Sequence, residues 1–484
     1  MQNIHQYEFQ RIKAPGLQMA IIMMGAFMAM LDTSVVNVAI PKLEVVLNAN
    51  TDRIQWVLTG YILVSGVVIP ISGWLTDRFG AKRLFIYALT IFTFSSALCG
   101  IAWNLDSMII FRILQAAGGG LLMPLANAMV FRIFPPNRRG TIMGIFGLTM
   151  MTAPALGPTL GGYFVQYATW RLIFYINVPI GVIATILAIF ILYDFPYKTK
   201  EKLDIWGFAF STLGFFAILF GINNVSQYGW GSLWVYPAVG IGAALLIMLV
   251  ATELIIENPV IQFTVFKDYL FTMSVIITSI IQIAMNIGIF LLPLYLQNIL
   301  GYTALQTGLF LTPAALASSV MMPISGRLFT KIGARPLGLI GLTIVAVTTY
   351  YLTFIDLNTT NATIQTLYIF RMLGLSMAMM PLMTAGMNVI SAKMMNQASA
   401  LGNTVRQISI SLGLAILTTY MTNQDKSQVF YLDSQVAVNT PQWSLLPQLE
   451  SKLHWLGVPI RSEQTTALMQ IYNWVQARIV DPRN

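Results

Sequence analysis

The sequence predicts an all-α membrane protein that crosses the bilayer many times and is built from two related halves. Of its 484 residues, 56% are hydrophobic and 9% are charged, whereas soluble domains carry about 25% charged residues. Apolar runs recur along the chain, and each reaches the roughly 18 residues that a helix needs to cross a hydrocarbon core. Residues 70–91 and 323–344 align without a gap at an offset of 253, with 11 of 22 positions identical. Such a repeat indicates a duplicated architecture.

Thirteen predicted spans account for the apolar runs, and the repeat assigns them to the halves. They cover residues 17–40, 54–75, 84–103, 107–132, 141–166, 171–193, 204–223, 233–255, 270–297, 303–326, 336–355, 363–390 and 398–421. The first copy of the repeat joins the second and third spans, and the second copy joins the tenth and eleventh. The second half therefore begins at the ninth span, and the seventh and eighth spans form a central insertion.

This assignment divides the chain into five parts. They are a cytoplasmic N-terminal tail (1–16), a six-helix half (17–193), a linker with the two inserted helices and the following cytoplasmic loop (194–269), a second half (270–421) and an extracytoplasmic C-terminal tail (422–484). Five spans are predicted in the second half, because no uninterrupted apolar run of spanning length follows the thirteenth span. Either the last helix of the plan is missing or the chain is truncated.

The basic residues are distributed unequally between the two sides of the membrane. Of 27 Lys and Arg residues, 16 lie on the side of the N-terminus, three lie in the opposite loops, three lie inside spans and five lie in the C-terminal tail. The positive-inside rule therefore predicts a multi-pass cell-membrane protein with a cytoplasmic N-terminus. The same distribution explains the net charge of +9 by topology, so we expect no nucleic-acid partner. The sequence contains no Walker loop, metal-ligand cluster or nucleophile motif, so we expect neither a cofactor nor an enzyme.

Asp32 is the only acidic residue deep inside a predicted span. A carboxylate at the bilayer centre costs roughly 2.5–3.5 kcal/mol, so it should face the interior of the bundle. At about 1.5 Å per residue, Asp32 lies about 22 Å along the first span and Arg112 about 8 Å below the outer surface, so they share a depth and can pair. A guanidinium favours the ionised acid and burial favours the neutral acid. We expect the pair to couple proton movement to transport; the alternative is a fixed salt bridge.

Two further segments contain glycines, which indicate a tight turn in one and close helix packing in the other. The loop of the first repeat copy combines glycines, which permit a tight reversal, with basic residues that hold it in the cytoplasm. Its candidate residues are Gly73, Asp77, Arg78, Gly80, Lys82 and Arg83. In the fifth span, small residues four apart favour close helix packing, and prolines favour a bend. These residues are Pro154, Gly157, Pro158, Gly161 and Gly162.

Five segments in this order resemble the major facilitator superfamily and, within it, the fourteen-span drug:proton antiporter family of the EmrB/QacA type. They are LDTSVVNVAIP (31–41), GWLTDRFGAKR (73–83), FRILQAAGGGLLMP (111–124), APALGPTLGG (153–162) and LPLYLQNILGYTALQTG (292–308). The resemblance extends from residue 17 to about 421. It implies two six-helix halves related by pseudo-twofold symmetry with two inserted central helices, and proton-coupled export of hydrophobic or amphipathic compounds by alternating access.

The resemblance also implies roles for particular residues. Asp77 would latch the two halves together on the cytoplasmic side, whereas the second repeat copy has Thr330 at that position; the alternative is an acid bonded to its own turn. The glycine–proline segment of the fifth span would seal the halves against proton leak, although Ala153 replaces the glycine that usually opens it. Ordinary close packing would explain the glycines equally well.

The resemblance further implies a substrate cavity between the halves. Methionines suit a site of broad specificity because the thioether is flexible, but the same residues can be core or lipid-facing. The candidates are Met28, Gln115, Phe290, Tyr295, Arg371, Met377 and Arg406. Arg371 and Arg406 have no acidic partner in a span, so they either bond backbone carbonyls or meet an anionic group of the substrate.

The expected partners are small hydrophobic molecules, protons and membrane lipids. In a Gram-negative cell, the resemblance adds a periplasmic adaptor and an outer-membrane channel. Two alternatives remain open: a proton-coupled exporter of one metabolite, peptide or lipid, and a truncated relative that does not transport.

Overall fold

The computed structural model describes residues 14–49, 51–195, 204–256, 260–356 and 359–435. Within these residues, 13 helices are long and apolar enough to cross a membrane, which confirms the predicted number and order of spans. The helices are α1 (Pro15–Val46), α2 (Trp56–Phe79), α3 (Ala81–Gly100), α4 (Leu105–Ile133), α5 (Pro136–Tyr167), α6 (Asn177–Ile191), α7 (Ile205–Asn223), α8 (Tyr236–Glu253), α9 (Tyr269–Leu294), α10 (Ala304–Ile332), α11 (Ala334–Leu352), α12 (Asn361–Asn388) and α13 (Met395–Gln435). Helix α6 reaches spanning length together with the helical turn before it, as the span Leu172–Ile191. Most of both predicted tails and of the charged linker lies outside the described residues.

Two helices are longer than the apolar runs that predict them. Helix α1 continues through Pro41 to Val46, because a membrane helix tolerates a proline where neighbouring groups satisfy the freed carbonyl. Helix α13 continues to Gln435, beyond the predicted end at residue 421, since neither glycine nor proline interrupts this polar stretch. Hydropathy marks where a chain leaves the lipid, whereas glycine, proline and capping residues mark where a helix ends.

The turns of the internal repeat are equivalent in the two halves. Gly80 joins α2 to α3 with φ 86°, and Gly333 joins α10 to α11 with φ 82°. A positive φ is easily adopted only by glycine, so each copy of the repeat makes the same tight reversal. Other helix starts are capped by side chains: Asn104 accepts from the backbone N–H of Ser107 at 2.8 Å, and Thr303 accepts from that of Gln306 at 3.2 Å.

Helix α5 packs against helices of both halves. It packs against α1 within the first half and along α10 of the second half. Glycines set the distance between α5 and α10: a Cβ on Gly144 would stand 2.6 Å from the carbonyl oxygen of Met322, and one on Gly326 would stand 3.0 Å from the Cα of Gly144. The two backbones therefore touch, as small residues allow in membrane helices.

The inserted helices α7 and α8 pack on each other, and α7 also packs against α2. The end of this hairpin reaches the second half, where Ile222, Val225 and Val235 cluster with Ala415 of α13. Trp230 adds a hydrogen bond from its indole N–H to the hydroxyl of Thr419 at 3.0 Å. The insertion therefore bridges α2 of the first half and α13 of the second.

Candidate functional site

The carboxylate of Asp32 is fully buried in α1 and receives hydrogen bonds from two neighbouring helices. Arg112 of α4 donates to Oδ2 at 2.5 Å, and Gln115, one turn further along α4, donates to Oδ1 at 2.9 Å. Asn177 at the start of α6 donates to Oδ1 at 3.0 Å. Three side-chain donors thus surround one buried carboxylate, as is usual for a buried polar group. The predicted meeting of Asp32 and Arg112 is therefore observed.

The guanidinium of Arg112 is held from a third helix as well. Its Nε donates to the carbonyl oxygen of Val57 at 3.3 Å, and its Cζ lies 4.3 Å from the centre of the Tyr61 ring, both on α2. Its Nη1 also donates to Oε1 of Gln115 at 2.7 Å. Arg112 thus joins α1, α2 and α4 in a closed polar network inside the first half.

The glycine–proline segment of α5 packs directly beside this network. A Cβ on Gly157 would overlap the side chain of Ser34, and one on Gly161 would stand 3.0 Å from the carbonyl oxygen of Val35. Ser34 donates a hydrogen bond to the carbonyl oxygen of Pro154 at 3.0 Å. The glycines therefore bring α5 against α1, two or three residues from Asp32. Gly162 instead faces the second half, where a Cβ would stand 3.7 Å from the backbone of Leu305.

Asp77, in the first repeat copy, contacts the second half. Asn396 at the start of α13 donates to Oδ1 of Asp77 at 2.5 Å. Gly73 lies one turn before Asp77, and a Cβ there would stand 3.2 Å from the Cα of Gln397. Thr330, the counterpart in the second copy, donates to the carbonyl oxygen of Arg327 in its own turn. Arg78 and Arg83 are exposed beside this contact and Lys82 is half-buried.

Further polar contacts join the halves at the end of the bundle that carries these loops, here called the basic end. Arg139 of α5 donates to Oδ1 of Asn388 at 3.1 Å. Arg132 of α4 donates to the carbonyl oxygen of Ala392 at 3.3 Å, and Ser399 of α13 donates to that of Pro124 at 2.8 Å. The basic end is therefore closed by hydrogen bonds between the first and second halves.

A cavity of about 500 Å³ lies between the halves toward the opposite end. Helices α1, α5, α9, α10 and α12 line it, through the later part of α1 (Ser34 to Pro41) and the first turns of α10. Four methionines face it, Met150, Met151, Met285 and Met372, together with prolines, aliphatic side chains, Phe290 and Tyr368. Its polar lining residues are Ser34, Asn37, Gln297 and Thr307. No described lining residue is charged.

Of the seven residues predicted to line a substrate cavity, one faces this cavity. Phe290 does line it, but Met28 is fully buried in α1, Tyr295 and Met377 lie off it, and Gln115 belongs to the Asp32 network. Successive residues of a helix are 100° apart, so an error of one position moves a side chain to another face. A sequence without helix orientations cannot choose that face.

The two remaining arginines also lie off the large cavity. Arg371 donates to the carbonyl oxygen of Ala284 and, at 3.2 Å, to the hydroxyl of Thr349, so it bonds its own half. Arg406 lines a second cavity of about 10 Å³ near the basic end. The residues missed from the sequence are Asn177 and Asn396. A single amide at the edge of an apolar run was the only signal for either, and helix-capping asparagines give the same signal.

A duplicated helical bundle with a buried acid–arginine pair, and a cavity that is sealed at one end, has the construction of a secondary transporter. The sequence profile of the Major Facilitator Superfamily matches residues 22–414. The chain belongs to this superfamily of transporters, which confirms the predicted fold and the expectation that the protein is not an enzyme.

Several named relatives are similar over most of the chain. The uncharacterized MFS-type transporter YhcA of Bacillus subtilis is 41% identical over 96% of this chain and 87% of its own length. The lincomycin resistance protein LmrB of Listeria monocytogenes is 34% identical over 87% of this chain and 89% of its own length. The multidrug export protein EmrB of Haemophilus influenzae is 33% identical over 82% of this chain and 78% of its own length.

The fold is also similar to that of a solved transporter. The structure of the proton:xylose symporter XylE aligns with a TM-score of 0.62 over 86% of this chain and 90% of that chain. Sequence identity is 14%, so this likeness concerns the fold alone.

Proposed function

We propose that the protein is a proton-coupled exporter of hydrophobic and amphipathic compounds across the cell membrane. The single observation that carries this proposal is the cavity of about 500 Å³, whose described lining is rich in methionine and contains no charged side chain. Flexible thioethers and apolar surface accept compounds of different shapes. The similarity to LmrB, a lincomycin resistance protein, and to EmrB, a multidrug export protein, supports transport out of the cell.

In this proposal, the structure is the outward-facing state. The basic end faces the cytoplasm by the positive-inside rule, and it is closed by Asp77 on Asn396 and Arg139 on Asn388. The cavity lies toward the other side, where a compound would leave. Asp77 serves as the latch of the cytoplasmic side, and α5 serves as the element about which the halves rock.

Coupling would run through α1, which carries the acid on one face and cavity residues on another. In the outward-facing state a proton from outside would neutralise Asp32 and weaken its bond to Arg112. Because Ser34 is bonded to α5 two residues later, a shift of α1 changes both the cavity and the packing of α5. Release of the proton to the cytoplasm would then restore the network.

The proposal requires only this chain, since the acid, the cavity and the latch all belong to it. We propose the same five parts of the chain as the sequence predicts, with the inserted helices as an addition to the two halves that transport. If the source cell has an outer membrane, a periplasmic adaptor and an outer-membrane channel would receive the exported compound.

The test is export from proteoliposomes with an imposed proton gradient, followed with a lipophilic fluorescent dye. We expect Asp32→Asn to abolish both gradient-driven export and dye-induced proton release. The matched control is Asp106→Asn, because Asp106 forms an exposed ion pair with Arg53 at 2.7 Å. Unchanged export by Asp32→Asn would contradict the coupling role. Transport of one compound only would favour the specific exporter, and no transport by the wild type would favour the non-transporting relative.

A further inference from the structure

The small cavity at the basic end has a different chemistry from the large one. It lies between α4 of the first half and α9, α12 and α13 of the second, and its volume is about 10 Å³. That is the size of one water molecule. Asn127, Ser274, Ser399 and Arg406 give it polar groups, and Met383 and Met387 give it apolar surface.

Asn127 of α4 has its hydrogen-bonding capacity unused. Its side chain is 1% exposed. Neither the amide nitrogen nor the amide oxygen has a partner among the described residues. Buried polar groups are almost always hydrogen-bonded, so an amide with both atoms unpaired indicates a bound water, a ligand or a second conformational state.

Arg406 of α13 is a buried cation on the same cavity, with an exposed fraction of 8%. Its side chain lies along Gly402, 3.4 Å from where a Cβ would stand, and Nη2 donates to Oδ1 of Asn403 at 3.0 Å. Among the described residues, no carboxylate forms an ion pair with it. A charge at this depth in a membrane protein is costly, and such charges mark pathways and binding sites.

The position of this cavity links it to the closure of the basic end. Ser399 lines the cavity and also donates to the carbonyl oxygen of Pro124, one of the hydrogen bonds between the halves. Asn127 is on the same helix as Pro124, so separating α4 from α13 breaks this bond and widens the cavity. The small cavity has its volume of about 10 Å³ while the large cavity is open, and a parting of the halves at the basic end would widen it.

We propose that Asn127 and Arg406 form the polar recognition site for substrates that enter from the basic end, and that they bind an anionic oxygen group, such as a carboxylate, on an amphipathic molecule. The identification of this site as the entry side rests on the proposed export function. Arg406 offers a guanidinium fork, and Asn127 adds a donor and an acceptor beside it. When the basic end closes again, about 10 Å³ cannot hold the group, and no described lining residue of the large cavity is a cation that would retain it.

The test is equilibrium binding of two fluorescent probes, an anthracene carboxylate and its methyl ester, to the full chain in lipid nanodiscs. The wild type should bind the carboxylate more tightly than the ester. Arg406→Gln should weaken carboxylate binding about tenfold or more and change ester binding less than about twofold, because a hydrogen bond to a charged group is lost. The affinity of Arg406→Lys for the carboxylate probe should lie between those of the wild type and Arg406→Gln, since lysine keeps the positive charge and loses the planar guanidinium.

A second variant keeps the test independent of folding defects. Asn127→Asp places a carboxylate in the cavity, so it should pair with Arg406, exclude the carboxylate probe and raise the thermal unfolding temperature. Arg53→Gln is the matched control, because Arg53 lies on the surface. Equal binding of both probes by the wild type and Arg406→Gln, or no binding of either by the wild type, would overturn the assignment. Binding needs no proton gradient, so absence of export in the liposome assay would count against the proposed function and leave the site standing.

Discussion

Ser34 donates a hydrogen bond to the carbonyl oxygen of Pro154 across the contact between α1 and α5. Ser34 also lines the large cavity and follows the buried acid Asp32 by two residues. One short piece of α1 therefore touches the acid network, the cavity and the helix that joins the halves. A change of charge at Asp32 can reach the cavity through a single helix.

The buried ion pair predicts that a single substitution lowers the stability of the protein much more than the double substitution does. Arg112→Gln leaves Asp32 charged, buried and without a cation, which should lower the free energy of unfolding by about 3–5 kcal/mol. Adding Asp32→Asn should recover most of that loss, because the uncompensated charge is gone. Denaturant titration of the purified protein measures both. The control is Arg53→Gln, which removes the exposed ion pair with Asp106 and should change the free energy of unfolding by less than about 1 kcal/mol. An Arg112→Gln protein as stable as this control would contradict a stabilising role of the buried network.

The packing of α5 on α1 predicts a size-dependent defect with a compensating change. Gly157→Ala places a Cβ on the side chain of Ser34, so transport should fall sharply. Ser34→Gly in the same protein should restore part of it, because the overlapping atoms are removed. Gly162→Ala, whose nearest neighbour is 3.7 Å away, should cause a smaller loss. Dye export from proteoliposomes compares the four proteins, and failure of Ser34→Gly to improve Gly157→Ala would rule out the contact as the cause.

The contact between Asp77 and Asn396 predicts a shift in conformational equilibrium. Asp77→Ala removes an acceptor whose hydrogen bond is worth about 1.5–3 kcal/mol, so the population open at the basic end should rise about ten- to a hundredfold relative to the closed one. Spin labels on Arg83 and Lys331, both exposed at the basic end, would report the distance between the halves.

The control for this experiment comes from the second repeat copy. Among the described residues, the hydroxyl of Thr330 donates within its own turn, to the carbonyl oxygen of Arg327, so Thr330→Ala should leave the distance distribution unchanged. Cys99 is buried and should first be replaced by serine, so that labelling is confined to the chosen sites. An identical distribution for Asp77→Ala and the wild type would show that Asp77 does not hold the halves together.

The glycines at the two repeat turns, Gly80 and Gly333, predict that an alanine at either position destabilises the protein by a similar amount. Gly80→Ala and Gly333→Ala put a Cβ on residues with φ 86° and 82°, which should cost roughly 1–2 kcal/mol each. Gly240→Ala in α8 has no atom within 4 Å of the new Cβ and should stabilise the helix by about 0.5–1 kcal/mol. Thermal unfolding of the purified variants measures these changes, and a neutral Gly333→Ala would show that the second turn is not strained by a side chain.

The sequence predicts the elements of the fold well because hydropathy and internal repetition are properties of whole segments. The depth of Asp32 and Arg112 also follows from the sequence, since the rise per residue of a helix is constant. The lining of the cavity does not follow, as Met28 and Met372 show: both are methionines in predicted spans, and only Met372 faces the cavity. Which face a helix turns inward depends on neighbours that are far away in the chain.

Contacts between the halves cannot be predicted from the sequence for a related reason. Asp77 carries a signal, because an acid in a basic loop needs an explanation, but Asn396 reads as an ordinary polar residue before a helix. Their side chains are 319 positions apart. Nothing local to Asn396 indicates that the loop of the first repeat copy lies beside it.

The inserted hairpin has a consequence for the route that cargo takes. Because α7 covers α2 and the hairpin end covers α13, this flank of the bundle is shielded from lipid. We therefore expect a substrate that reaches the bundle from the bilayer to enter by a flank other than the one between α2 and α13, because the two inserted helices occupy this one.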